Sequence, residues 1–402
     1  MKHRVLLTAV LIWGAQLQLV PAAPADARRL ATANNGFAFN LLKQLARDQP
    51  AANIFISPYS AAAVLQMVGG GAAGQTKTEM QQVLGTAGMS SDAVGAANHE
   101  IASALNHFNT NVVLTTANAI WYQRGEPVRP EFLALNQRFF GATVDALDFG
   151  DPRAVEVINA WANEKTKGKI SRIADGMIDP VYERLFLANA VYFKGKWSDP
   201  FKPEDTKDWP FHRRSGGEKN IPMMTQSKNF TYRRGTGYQA VRLPYEGEKL
   251  AMYVFLPETN SSPEKLLGIM SGDRWQRVTQ PGFSQKDGLL VLPKFKLEYS
   301  VELKPPLQAM GLKTAFNMDR ADFCGIAPQL FISSARQKTF VEVKEEGTEA
   351  VAVTDISIPA SGIEMSPPDP FQMIVDRPFL FLIEDSQTGT ILFMGLIFDP
   401  KG

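Results

Sequence analysis

From Thr348 the chain reads TEAVAVTDISIP, and its alternate residues fall into two unlike sets. Thr348, Ala350, Ala352, Thr354, Ile356 and Ile358 are small and then apolar. Glu349, Val351, Val353, Asp355, Ser357 and Pro359 carry acids, a hydroxyl and two valines. In an extended chain the two sets point to opposite faces, so this is the pattern of a strand with one buried face. Yet the run passes directly into PASGIEMSPPDP, and the next strand signal comes only after Pro378. Connections of this length without structure of their own are uncommon in compact domains. The segment is either an edge strand followed by a disordered connection, or a segment with two alternative states, one outside a sheet and one within it. Pattern alone leaves both open.

The rest of the chain can supply such a sheet. Its 402 residues are 45% hydrophobic and 21% charged, enough for a sizeable core. Lys+Arg 42 against Asp+Glu 41 leaves a net charge of +1, which gives no general electrostatic reason to expect nucleic acid or an acidic membrane as partner. The start has a basic head (Lys2, His3, Arg4), an apolar run and A-x-A steps at Ala23/Ala25 and Ala25/Ala27. Residues 1–25 are therefore expected to be a secretory signal peptide, cleaved somewhere within 22–27. The product would be extracellular, or periplasmic in a bacterium. Cys324 is the only cysteine, so no intramolecular disulfide can form. With no His nearby it is expected to be packed or idle.

No linker or repeat divides residues 34–400, which read as one mixed domain. Phe37, Leu41, Leu42 and Leu45 recur at helical spacing, and SAAAVLQMV, HEIASALNHF and AVEVINAWANEKT continue the pattern. Strand-like runs follow at NVVLTTANAIWY, LFLANAVYF, LAMYVFLP, LLVLPKF and KTFVEVK. FLFLIEDSQTGTILFMGLIF reads as a hairpin turning at Ser386–Gly389. Helices early and strands late predict an α+β fold.

Enzyme signals are weak. GGGAAGQT (69–76) departs from a Walker A loop at one residue, with Gln75 where a lysine should reach phosphate. It reads better as a junction between helices, with Thr76 as a cap and Glu79 completing a capping box. The histidines are His3, His99, His107 and His212. No G-x-S-x-G elbow occurs, and His99-Glu100 lacks the second histidine of H-E-x-x-H because position 103 is serine. No metal or cofactor is expected. Asn229-Phe-Thr231 and Asn260-Ser-Ser262 are glycosylation sequons, meaningful only in a cell that glycosylates.

Over nearly the whole mature chain the sequence resembles the serpins, serine protease inhibitors of the large metastable type. The resemblance is carried by NIFISPYSAAAVLQMV, FLANAVYFKGKWSDPF, IPMM, LPKFKLEYSVEL, EEGTEA, DRPFLFLIED and TGTILFMGLIFDP, in family order and with family-like spacing. It implies about nine helices and three β-sheets, with residues 345–377 displayed as a reactive-centre loop. It also implies an inhibitor without catalytic residues. A target protease would attack the loop and form an acyl-enzyme, and the freed loop would enter the large sheet as a strand. The hinge is then Glu345, Gly347, Thr348, Glu349, Ala350, Ala352 and Thr354. The sheet-opening region comprises Ser57, Ser60, Asn189, Gln337, Trp197 and Lys294.

Small inward residues and no inward charge at the hinge favour an inhibitor over a carrier, chaperone or storage member. Inhibition of cysteine proteases is a further alternative. Two features depart from the family pattern. Gln337 stands where a histidine is usual and cannot titrate near neutrality. The loop is also long, so the cleaved bond is Ser361-Gly362 by counting from the hinge, or Met365-Ser366 by residue type. Thirteen extended steps from Thr348 span roughly 43 Å, and seventeen roughly 56 Å. Either bond suits elastase-, chymotrypsin- or subtilisin-like targets. A monomer is expected, with a covalent protease complex as its partner state. GMSSDAVGAANHE has no basic cluster, so no heparin activation is expected.

Overall fold

Phe37, Leu41, Leu42 and Leu45 lie on the buried stripe of the first helix, α1 (Ala25–Asp48), as their spacing requires. The computed structural model describes residues 25–105, 111–174, 183–279, 282–348 and 369–401. After α1 come β1 (Ile54–Ile56), α2 (Pro58–Gly69), α3 (Gly74–Leu84) and α4 (Ser91–Leu105). The chain continues through β2 (Val112–Gln123), α5 (Pro130–Phe140), β3 (Thr143–Leu147), α6 (Ala154–Lys165) and β4 (Leu185–Lys196). A strand-rich stretch follows: β5 (Lys207–His212), β6 (Glu218–Gly235), β7 (Tyr238–Pro244) and β8 (Leu250–Pro257). Then come α7 (Pro263–Ile269), α8 (Gly272–Thr279), β9 (Ser284–Pro293), β10 (Phe295–Glu302) and α9 (Lys304–Ala309). The last elements are β11 (Ile332–Lys344), β12 (Gly347–Thr348), β13 (Phe371–Ile374), β14 (Phe379–Asp385) and β15 (Thr390–Ile397).

Two hydrogen-bonded sheets organise these strands. The six-stranded sheet runs β10-β11-β12-β4-β2-β3, and β11 also pairs directly with β4. The nine-stranded sheet runs β1-β15-β14-β8-β7-β6-β9-β13, with β5 on β6. The 18-residue β6 meets β5 with its first residues, β9 along its middle and β7 with its last. It thus joins in one network what the resemblance counts as two of its three sheets.

Every residue of β14 and β15 is buried. Such strands need cover on both faces. On one side β15 packs against α1 and α2. A chain of rings, Phe381–Phe55–Phe393–Phe193 at 5.3–5.7 Å, leads from the hairpin to β4 of the six-stranded sheet. The other face of β2 and β4 carries Ala117, Ala119, Trp121, Phe186, Ala188 and Ala190, which pack under Ile158 and Trp161 of α6.

Two local expectations change. Thr76 and Glu79 do not cap α3, whose N-cap is Ala73. The Thr76 hydroxyl accepts from the Asp322 amide at 2.9 Å, and the Glu79 carboxylate accepts from the Lys313 and Thr314 amides, so both serve a segment distant in sequence. Cys324 is exposed rather than packed.

Candidate functional site

β4 and β11 run parallel and paired from Leu185↔Ile332 to Tyr192↔Phe340, then part. The chain leaving β11 turns at Glu345–Glu346 and comes back into the gap as β12. Thr348 pairs with Val343 on one side and Gly195 on the other; Gly347 pairs with Lys344 and Lys196. Two residues of the hinge are thus already a strand between two strands. Gly347 has φ +149°, and a Cβ there would lie 2.1 Å from the Gly195 carbonyl oxygen, so the tight entry requires glycine.

Thr348 is fully buried, and its hydroxyl is 2.8 Å from that of Tyr245. Tyr245 is buried too, which pushes its phenol pKa well up and keeps it a neutral hydrogen-bonding group. Its ring stacks on Trp197 at 4.5 Å and meets Phe193 edge-on at 5.0 Å. The Trp197 indole donates to the Lys344 carbonyl at 3.0 Å, fixing the end of β11. Beside it, Glu345 accepts from Lys294 at 2.9 Å and from the Thr206 hydroxyl at 2.8 Å. Burial pushes the Glu345 pKa up, but the Lys294 hydrogen bond, its own backbone N–H and Thr206 outweigh it. The carboxyl is held below the usual range.

Deeper in the sheet, register aligns Asn118 of β2, Asn189 of β4 and Gln337 of β11 as one polar rung. Asn189 Nδ2 donates to Asn118 Oδ1 at 2.5 Å and also to Ser60 Oγ. Gln337 Nε2 donates to Asn189 Oδ1 at 2.5 Å and to the Ser57 carbonyl at 2.9 Å, while its Oε1 accepts from the Ser57 amide at 3.0 Å. Ser57 Oγ donates to the Leu392 carbonyl of β15 at 2.8 Å, and Ser60 Oγ to Asn118 Oδ1 at 3.1 Å. Ser57, Ser60, Asn189 and Gln337 are each at most 1% exposed. The start of α2 is therefore tied to both strands of the seam, and an amide-to-amide side-chain bond crosses the seam in addition to the backbone ladder.

Residues 32–400, which hold both clusters, match the family model described as serpin (serine protease inhibitor). The chain belongs to the serpin family. It is 36% identical over 371 residues to an uncharacterized serpin-like protein of Thermococcus kodakarensis, across 91% of this chain and 85% of that one. It is 35% identical over 384 residues to the leukocyte elastase inhibitor of Bos taurus, across 92% of this chain and 100% of that one. Native protease nexin-1, solved with heparin, superposes with a TM-score of 0.82 at 31% identity, covering 93% of this chain and 99% of that chain.

In this serpin the six residues read as a sheet-opening region divide into two groups. Ser57, Ser60, Asn189 and Gln337 form the buried rung, whereas Trp197 and Lys294 gather with Glu345, Gly347 and Thr348 at the mouth of the sheet. Asn118 and Tyr245 belong to these clusters and were not foreseen. Asn118 was readable only as a polar residue inside an otherwise strand-like run, and Tyr245 touches Thr348 across 103 positions of sequence. Glu349, Ala350, Ala352, Thr354 and both candidate bonds, Ser361-Gly362 and Met365-Ser366, lie outside the described residues. Among the described residues no group of three or more His, Cys, Asp or Glu could hold a metal ion.

Proposed function

We propose that this serpin inhibits serine-type endopeptidases as a suicide substrate, trapping the acyl-protease by inserting its reactive-centre loop between β4 and β11. The observation that carries the reading is β12, two hinge residues paired on both sides at the mouth of that seam. Continuing the antiparallel register from Thr348↔Gly195 brings Thr354 opposite Asn189 and Ile358 opposite Leu185, the first residue of β4. Continuing it from Thr348↔Val343 brings Thr354 opposite Gln337. The alternating run 348–358 thus has the length of the slot. Its small and apolar set follows Thr348 to the inner face, where Leu185, Leu187, Val191 and Phe193 lie in the core.

In the reaction proposed, the protease's nucleophile attacks the loop carbonyl, the peptide bond breaks, and the leaving amine takes up a proton. The upstream segment is left esterified to the enzyme and free to zip downward. The fit of slot and pattern favours Ser361-Gly362, whose roughly 43 Å tether leaves little slack at ~3.3 Å per residue. Met365-Ser366 leaves four residues more, and a less compressed enzyme. We also propose export through the signal peptide, with the target met outside the producing cell.

A serine-protease panel tests this directly. The expected result is an SDS-stable complex of serpin and protease, lost in Thr348→Arg, because a charged head cannot enter the space beside Tyr245. Clean loop cleavage with full turnover by the unmutated chain would instead favour a non-inhibitory role.

A further inference from the structure

We propose that Lys169 is a positioning residue for loop insertion, a clamp that holds β4 against β11 from the outer face of the sheet until a strand parts them. The proposal rests on the insertion reading above. Tyr192 of β4 and Phe340 of β11 are register partners across the seam. Both belong to the set facing away from the core rung, yet they are only 5% and 6% exposed. Lysine side chains lie over them. The Lys169 ammonium is 5.8 Å from the Tyr192 ring centre and 6.0 Å from that of Phe340, within reach of a cation–π attraction to both. Lys296 lies 5.4 Å over Phe340, but it sits on β10, which is paired to β11 and can travel with it. Lys169 lies over both rings, one on each strand of the seam.

The backbone that presents Lys169 is fixed on both sides. Before it, the Thr166 hydroxyl donates to the Ala162 carbonyl at 2.7 Å and accepts from the Ile170 amide at 2.9 Å. Lys167 and Gly168 take φ of +52° and +83°, which turns the chain off the end of α6 and over the sheet. After it, Ile170, Ile173 and Ala174 are buried, and Asn159 of α6 holds the Ile173 and Ala174 amides and the Ala174 carbonyl at 2.8–2.9 Å. The helix and its following segment cover β2 and β4, and through Lys169 they reach across to β11.

An inserted strand widens the gap between β4 and β11 by about 4.8 Å and places its own outward side chain between the two rings. The ammonium then loses its joint contact. A group that binds the closed arrangement better than the open one biases the equilibrium toward closure and slows a step in which the contact is lost. Lys169 does so without entering the buried rung, so the outer face has its own control over the seam.

The test uses the full chain, nicked in the reactive-centre loop with a protease that cleaves there. Insertion is followed by stopped-flow tryptophan fluorescence, with Trp197 at the mouth as a reporter, and by the thermal midpoint of the nicked product. Lys169→Met keeps the apolar stem and removes the charge; Lys169→Arg keeps a cation. Insertion about two- to fivefold faster in Lys169→Met is expected, the rate equivalent of one exposed cation–π contact, with Lys169→Arg close to the unmutated rate. Lys169→Met inserting at the unmutated rate, or Lys169→Arg speeding insertion as much, overturns the clamp. A nicked unmutated chain that gains no thermal stability overturns the insertion reading itself, a separate failure that the same experiment makes visible.

Discussion

Gln337 and Asn189 face one another across the seam between β11 and β4, and their side-chain amides share a hydrogen bond of 2.5 Å. Gln337 spends its remaining capacity on the backbone of Ser57, so the same side chain closes the seam and anchors α2 beneath it. The pair is buried, which makes the bond hard to replace: no water reaches the amides while the strands stay together. An incoming strand must break this bond and offer something in return.

Gln337→Leu tests the latch. Leucine fills nearly the same space but leaves the Ser57 amide, the Ser57 carbonyl and Asn189 Oδ1 without this partner. A buried group left unpaired costs about 1–3 kcal/mol. The expected outcome is a lower thermal midpoint of the uncleaved protein and faster spontaneous loop insertion, read as loss of inhibitory activity on warming. An unchanged midpoint and half-life would show that the rung does not hold the sheet closed.

Thr354 is where compensation is expected if the loop inserts, since the register of β12, continued beyond Thr348, would bring it between Asn189 and Gln337. Its hydroxyl can both donate and accept, which suits one amide on each side. Thr354→Val keeps the shape and removes the hydroxyl. The nicked variant should gain less thermal stability over its uncleaved form than the unmutated protein does, by about 1–2 kcal/mol per amide left short. Equal gains would place Thr354 elsewhere.

How far the sequence disclosed this architecture depended on where each pattern came from. β2, β4, β8, β9, β11 and the β14–β15 hairpin were legible because their residues carry the burial pattern themselves. β5, β6 and β7 were not foreseen: β5 is mostly exposed, and β6 alternates only in part, its pairing partner β9 lying some sixty residues later. The hinge was legible in Gly347 and Thr348, since small size is a local property. Ser57, Ser60, Asn189 and Gln337 of the rung were legible only through family resemblance, and Asn118 not at all. Nothing local in Ser57, Asn118 or Gln337 says that three separate segments meet, and their alignment follows from strand register.

The Glu345–Lys294 pair should tie hinge behaviour to acid. The Glu345 carboxyl is held below its ordinary value of 4.5, so its pairing contributes stability above that value and loses it as pH falls through the lowered one. Lys294→Met should therefore destabilise the uncleaved protein at pH 7, with the gap to the unmutated protein closing in acid below the ordinary carboxylate range. Thermal midpoints measured across that range decide it. A gap that stays constant with pH would mean that packing of the lysine stem, and not its charge, is what Glu345 feels.

Heparin should not accelerate inhibition. α4 carries no lysine or arginine, and its ionisable residues are Asp92, His99 and Glu100. A polysulfated chain binds by neutralising its charge with closely spaced cations, as other polyanions do. Inhibition rates with and without heparin should agree at low salt, where such attraction is strongest. Acceleration that fades with added salt would reveal a basic surface elsewhere on the fold.

Glu384 gives the sharpest pH dependence. It is the penultimate residue of β14, at 5% exposure, and burial pushes its carboxyl pKa up to about 7 from an ordinary 4.5. Hydrogen bonds from Trp275, at 2.8 Å, and Tyr253 pull the other way, as does the Arg242 charge, while the Asp385 charge adds to the rise. The native state thus keeps a proton that the unfolded chain releases between those two values. Its contribution to stability is greatest below the ordinary value, falls as pH rises to about 7, and is flat beyond. The shift corresponds to roughly 3 kcal/mol, at 1.36 kcal/mol per unit. Glu384→Gln retains an oxygen for the Trp275 indole and cannot ionise. It should match the unmutated protein near pH 4.5 and exceed it above neutrality by up to about that amount, read from thermal midpoints. If the variant is no more stable at pH 8, the carboxylate is solvated or paired in the native state, and its burial carries no pH cost.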